Sequence, residues 1–130
     1  MEPESSNLKG KKVLVVEDNA INQMVTKETL VKLGCEVEIA SGGQEAIDLF
    51  TPGNFDFVLM DVMMPNVDGY EATEKIREKE GDNSKKAIII ALTANATPED
   101  RDKCLESGMD DYIAKPIGPH TIENTLLNHF

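Results

Sequence analysis

Val13-Leu-Val-Val-Glu-Asp-Asn19 decides the fold. Four consecutive apolar residues, three of them β-branched, suit a strand covered on both faces, as in a parallel sheet. Two acids and an amide follow at once. Ile21, Val25, Leu30 and Leu33 then fall at helical spacing, and Gly34 comes next as a stop signal. A buried strand, a polar loop and an amphipathic helix make one β–α unit.

The same unit recurs along the chain. Further apolar runs lie at Val37-Glu-Ile-Ala40, Phe57-Val-Leu-Met60, Ala87-Ile-Ile-Ile-Ala-Leu92 and Tyr112-Ile-Ala114. The Phe57 and Ala87 runs are unbroken and belong inside a sheet, whereas Val37-Glu-Ile-Ala40 suits an edge. Ser41 with Gln44 predicts a capping box, after which Ala46, Ile47 and Phe50 share a helical face. Tyr70, Thr73 and Ile76 mark a third helix. Thr97-Pro-Glu-Asp100 opens a fourth, closed by Gly108, and Pro119 opens a fifth carrying Ile122, Leu126 and Phe130. Right-handed crossovers between such units imply an α/β fold, an open parallel five-stranded sheet doubly wound by five helices. If the strands run in the flavodoxin-like order 2-1-3-4-5, a crevice opens at the carboxyl ends of strands 1 and 3.

Length and charge bound what such a fold does. The 130 residues suit a single domain, expected over 11–130, with the polar stretch 1–10 as a disordered tail or linker. Twenty-four acids against thirteen Lys and Arg give a net charge of −11, which repels phosphate backbones and anionic lipid. Direct nucleic-acid or membrane binding is not expected. The longest apolar run is too short to cross a bilayer and Met1-Glu-Pro-Glu4 is acidic where a signal peptide is basic, so a cytoplasmic setting is expected. Cys35 and Cys104 lack metal-ligand spacing and are expected to be reduced thiols, buried or half-buried.

The residues just past each strand carry the chemistry. Strand 1 leads into Glu17, Asp18 and Asn19, strand 3 into Asp61, strand 4 into Thr93, and strand 5 into Lys115 and Pro116. Each has a plain alternative. Asp18 or Asn19 can cap the first helix, Asp61 can serve a turn, Thr93 can bond locally, Lys115 can be solvated, and Tyr112 can be a rim aromatic. Their convergence on one rim is what favours a site. Carboxylates about 4 Å apart repel by about 1 kcal/mol in water and about 4 kcal/mol at an effective dielectric near 20. A cation is therefore expected, and an all-oxygen ligand set with room for water favours Mg²⁺. A carboxylate beside such an ion and a lysine can act as nucleophile toward a phosphoryl group.

In this order, and with VLVVEDNAINQ, FDFVLMDVMMPNVDGYEAT, IIALTANA and GMDDYIAKPI, the chain resembles the receiver domain of two-component response regulators, most closely the receivers of hybrid sensor histidine kinases. The resemblance spans about Lys11 to Phe130. It implies that Asp61 accepts a phosphoryl group from a histidine kinase or histidine phosphotransfer protein, and that Asp18, Asp61 and the backbone carbonyl of Met63 hold Mg²⁺. Glu17 stands where many members have Asp, and its longer side chain is expected to work through a metal-bound water. Thr93 and Lys115 match the family's hydroxyl and lysine, Thr93 and Tyr112 its switch pair, and Pro116 its cis proline. The switch alters the face made by the fourth helix, fifth strand and fifth helix. Ile21, Asn22, Met24 and Val25, with Pro116, match the surface that docks a phosphodonor, although Ile21 and Val25 also suit a core. Met63 and Asn95 occupy the positions that tune hydrolysis, and since neither is an acid, water access is expected to set the phosphoryl lifetime.

The alternatives fare worse. A flavin or nucleotide binder would not put Glu17-Asp18-Asn19 against a phosphate. A turnover phosphatase needs an acid or base that Met63 cannot supply, and neither His120 nor His129 is expected at the rim, so the chain is expected to be a phosphoacceptor and not an enzyme. A pseudo-receiver acting only as a binding module should have lost Asp61, Thr93 or Lys115, and all three are present. The sequence carries no output domain after Phe130, and with its linker-like start it is expected to be a piece of a longer kinase rather than a relay intermediate or a stand-alone regulator.

Overall fold

The computed structural model describes residues 10–51, 53–62, 69–81, 86–93, 97–114 and 119–127. Strands and helices alternate: β1 Lys12–Val16, α1 Ala20–Lys32, β2 Glu36–Ala40, α2 Gly43–Leu49, β3 Phe57–Asp61, α3 Gly69–Glu80, β4 Ile88–Thr93, α4 Pro98–Glu106, β5 Asp111–Ala114 and α5 Pro119–Leu127. All strand pairs are parallel, in the order β2-β1-β3-β4-β5, which is the expected doubly wound arrangement. Every residue of β3 is buried, and β1 and β4 are buried beyond their first residue, because helices cover both faces. β2 lies at an edge and keeps its glutamates toward solvent.

Alternation along the strands sorts the apolar residues into two layers. Leu14, Val16, Val58, Met60, Ile89 and Ala91 face Ala46 of α2 and Phe50 just after it, Ala72 and Ile76 of α3, and Cys104 of α4. Val13, Val15, Phe57, Leu59, Ile90, Leu92 and Ile113 face Leu30 of α1 with Ile122 and Leu126 of α5. Phe55, just before β3, stacks on Phe50 at 5.8 Å between ring centroids.

Two local readings are settled. Ile21 and Val25, open in the sequence between a docking surface and a core face shared with Leu30 and Leu33, are 70% and 48% exposed, which removes the core reading. Thr26 and Leu30, four residues apart, are the buried residues of this helix and set its inward face, and the five-residue step from Val25 to Leu30 leaves Val25 and Ile21 turned roughly 100–140° away from it. The capping box at Ser41 and Gln44 also does not form. Gly42 takes the N-cap position of α2, Glu45 Oε1 accepts the Ser41 N–H at 2.9 Å, and Gln44 turns to Asp48. The Ser41 hydroxyl is engaged elsewhere, accepting from Gln23 Nε2 at 3.2 Å.

At the opposite end of the sheet an arginine joins three segments. Arg77 of α3 donates through Nε to the Gly108 carbonyl (2.9 Å), and through Nη1 to Glu80 Oε1 (2.7 Å) and the Ala87 carbonyl (2.9 Å). Its Nη2 donates to Asp110 Oδ2 at 2.7 Å. The Glu80 side chain is fully buried and also accepts the Ala87 N–H at 2.8 Å. Gly108 has φ +105°, and a Cβ there would meet Arg77 Cγ at 3.0 Å, so this stop to α4 favours glycine twice over.

Neither cysteine is in a disulfide and both are buried, as the sequence allows. Burial, and secondarily the Asp56 carboxylate, pushes the Cys35 thiol from its ordinary 9.0 up to about 11. At pH 8 its thiolate fraction is then about 100-fold below that of the unfolded chain. Mass-monitored alkylation should label Cys35 no faster than the chain unfolds, and labelling at a free-thiol rate would contradict its burial. Because the folded thiol keeps its proton where the unfolded one loses it, its stabilisation is fully present below pH 9 and is lost as pH rises toward about 11.

Candidate functional site

The register lines up the carboxyl ends of three strands. Val16 pairs with Met60 and Asp61 with Leu92, which sets Glu17 level with Asp61 and Thr93 one residue beyond Leu92. The Glu17 N–H donates to the Ala40 carbonyl at 3.0 Å and extends the β1–β2 ladder by one step. The chain then turns sharply into α1.

Asn19 makes that turn. Its Oδ1 accepts from the N–H groups of Ile21 (2.9 Å) and Asn22 (3.0 Å), closing the amino end of α1. The alternative that Asp18 caps this helix is thereby excluded. The Asn19 N–H donates to Glu17 Oε2 at 3.2 Å and bends the longer carboxylate back over its own loop.

Glu17, Asp18 and Asp61 each place a carboxylate oxygen within 4.8 Å of the other two. Glu17 and Asp61 are both 2% exposed, while Asp18 is open to solvent. Charges this close, two of them screened from water, repel by several kcal/mol unless a cation balances them. The donors are all hard oxygens, so the set fits a Mg²⁺-class ion, and the longer Glu17 side chain still brings an oxygen into the cluster.

Thr93 ends β4, 3% exposed, and pairs with Ala114. Tyr112 pairs with Ala91 and lies half-buried against the layer that holds α2, α3 and α4. Asn22 is exposed, and Ile21, Met24 and Val25 form an exposed apolar group on the first turns of α1 beside Asp18. Met63, Asn95, Lys115 and Pro116 lie outside the described residues, as do the tail 1–9, His129 and Phe130. The His120 side chain is likewise not described.

Two residues that sequence reasoning missed shape this rim. A Cβ on Gly69 would fall 2.7 Å from the Asp61 carbonyl oxygen and 2.8 Å from Val62 Cα. Only glycine lets α3 start directly against the backbone that carries Asp61. Its signal was present: Gly69 opens a helix, where glycine is ordinarily found closing one. The second is Gln23, whose Nε2 donates to the Glu17 carbonyl at 2.6 Å.

Comparison with known proteins accords with this geometry. The model of the response regulator receiver domain matches residues 13–127. The chain belongs to that family. It is 43% identical over 131 residues to hybrid signal transduction histidine kinase I of Dictyostelium discoideum, covering 97% of this chain and 8% of the kinase. The curated relatives it resembles are far longer, and the chain spans 6–15% of their length. Among solved structures, the receiver domain of sensor histidine kinase PA1611 of Pseudomonas aeruginosa, with magnesium in its active-site cleft, superposes with a TM-score of 0.80 at 40% identity, covering 92% of this chain and 96% of that one. The receiver domain of Ssk1 from Saccharomyces cerevisiae, in complex with the phosphotransfer protein Ypd1, gives 0.82 at 35% identity, covering 90% and 86%. Among the described residues, no helix is long and apolar enough to cross a membrane.

Proposed function

We propose that this receiver domain takes a phosphoryl group from a phosphohistidine donor onto Asp61, as a step in a two-component phosphorelay. An Asp61 carboxylate oxygen forms a bond to phosphorus as the phosphorus–nitrogen bond breaks, and the electron pair stays with the imidazole. Glu17, Asp18 and Asp61, with the backbone carbonyl of Met63, would hold Mg²⁺. Bound there, the ion supplies neutralisation of charge on the transferring oxygens. Lys115 and Thr93 take the remaining oxygens, and the Thr93–Tyr112 pair carries the change to the face formed by α4, β5 and α5.

The observation that carries this reading is the convergence of three carboxylates from two strand ends, two of them buried. It also weighs against a pseudo-receiver, for which gathering three carboxylates at one rim would serve nothing. The donor is a histidine kinase or a histidine phosphotransfer protein, seated on Ile21, Asn22, Met24 and Val25 with Pro116. The net charge of −11 argues against direct contact with nucleic acid or anionic membrane, and the setting is cytoplasmic. Met63 and Asn95 bring no acid to activate water, so the domain is a phosphoacceptor with slow self-dephosphorylation at most.

Incubation with a small acyl phosphate tests the reading by intact mass. One phosphoryl adduct is expected with Mg²⁺ and none after chelation. A chain left unmodified in Mg²⁺, or modified equally well without it, would overturn the proposal.

A further inference from the structure

We infer that Gln23 is a positioning residue for the cation site, orienting the Glu17–Asp18 peptide so that both carboxylates face Asp61. The inference rests on the cation reading above and assigns a role to a residue that would touch neither the ion nor the phosphoryl group.

The peptide in question lies between two fixed points. On one side the Glu17 N–H is held by the Ala40 carbonyl, and on the other Asn19 is locked into the cap of α1. Its carbonyl accepts from Gln23 Nε2 at 2.6 Å. The same amide group donates to Ser41 Oγ at 3.2 Å, and the Ser41 N–H is tied to Glu45 Oε1 at 2.9 Å. Gln23 therefore braces the loop after β1 against the loop after β2. The donor sits on the first turns of α1, a rigid element, as accurate placement of a ligand set requires. Without that bond the backbone at Glu17–Asp18 can shift between its two fixed points, and a shift of the Asp18 Cα carries its carboxylate off the cluster. Asp18 is the exposed member of the three and has the least packing to hold it in place.

The test is an amide-resolved NMR titration with MgCl₂ on wild type, Gln23→Met, Gln23→Asn and Ser41→Ala. Methionine keeps the length of the side chain without its donor, and asparagine keeps the donor but withdraws its reach. Both should weaken Mg²⁺ binding about tenfold, the scale of an outer-shell contact. Ser41→Ala leaves the bond to the Glu17 carbonyl in place and should stay within twofold of wild type. A purely structural role would lower the unfolding midpoint of the Gln23 variants without changing their Mg²⁺ affinity. Wild-type affinity in Gln23→Met with a dispersed spectrum would overturn the inference. Should that variant not fold, the same result in Gln23→Asn would overturn it, as would an equal loss in Ser41→Ala. Wild type that shows no response to Mg²⁺ would instead remove the cation reading itself.

Discussion

Asp61→Asn should abolish formation of the phosphoryl adduct while leaving the chain folded. The substitution is nearly isosteric at a site that is 2% exposed, so the packing around it barely changes. What changes is chemistry: a carboxamide oxygen is a poor nucleophile, and no neutral amide replaces the carboxylate in an attack on phosphorus. It also removes one of three mutually repelling charges. In the absence of divalent ions the variant should therefore unfold at or above the wild-type midpoint, since pairs about 4 Å apart cost about 1 to 4 kcal/mol depending on local dielectric. Loss of labelling with retained or raised stability distinguishes a missing acceptor from a damaged fold. An adduct that persists would move the acceptor to another acid, Asp18 being the nearest exposed one.

Arg77→Leu is expected to be the most destabilising single change outside the site. It leaves the fully buried Glu80 carboxylate without its cation and takes donors from the carbonyls of Gly108 and Ala87. Breaking a buried ion pair from one side typically costs about 3–5 kcal/mol, because the remaining charge stays desolvated. The Asp110 arm contributes less, since that carboxylate is 42% exposed and screened. For a chain of this size the loss corresponds to a fall in Tm of roughly 10–20 °C. Adding Glu80→Gln to Arg77→Leu should restore part of it by removing the stranded charge, and a double-mutant cycle in urea measures the coupling. A single variant that melts within a few degrees of wild type would show that the pair does not hold these segments together.

The sheet was legible because its signal is local. Four-residue runs such as Val13 to Val16, punctuated by Gly34, Pro98 and Gly108, fix the order of elements with no knowledge of contacts, and the rim residues follow from where each run stops. Contact-dependent features were not legible. Ile21 and Val25 look like the start of a stripe with Leu30 and Leu33, but the step from Val25 to Leu30 is five residues, and only the burial of Thr26 shows which face turns inward. Ser41 and Gln44 have the letters of a capping box, but a competing donor from α1 claims the serine. Arg77 sits in a charged stretch that reads as a solvated face, because two of its partners are backbone carbonyls, which no sequence pattern marks, and a third, Asp110, lies 33 residues away. The choice between Asp18 and Asn19 as the cap was undecidable from composition and turned on which side chain reaches the N–H groups of Ile21 and Asn22.

The sorting of apolar residues onto opposite sides of the sheet carries an evolutionary consequence. A strand residue belongs to one compartment or the other and never to both, so a methyl group gained or lost beside Phe50 and Ile76 is insulated by the backbone from Leu30 and Leu126. The compartment beside Phe50 and Ile76 can therefore repack while the other keeps its hold on the helix that braces the acidic loop. That independence lets one side of the scaffold change without disturbing the acidic rim.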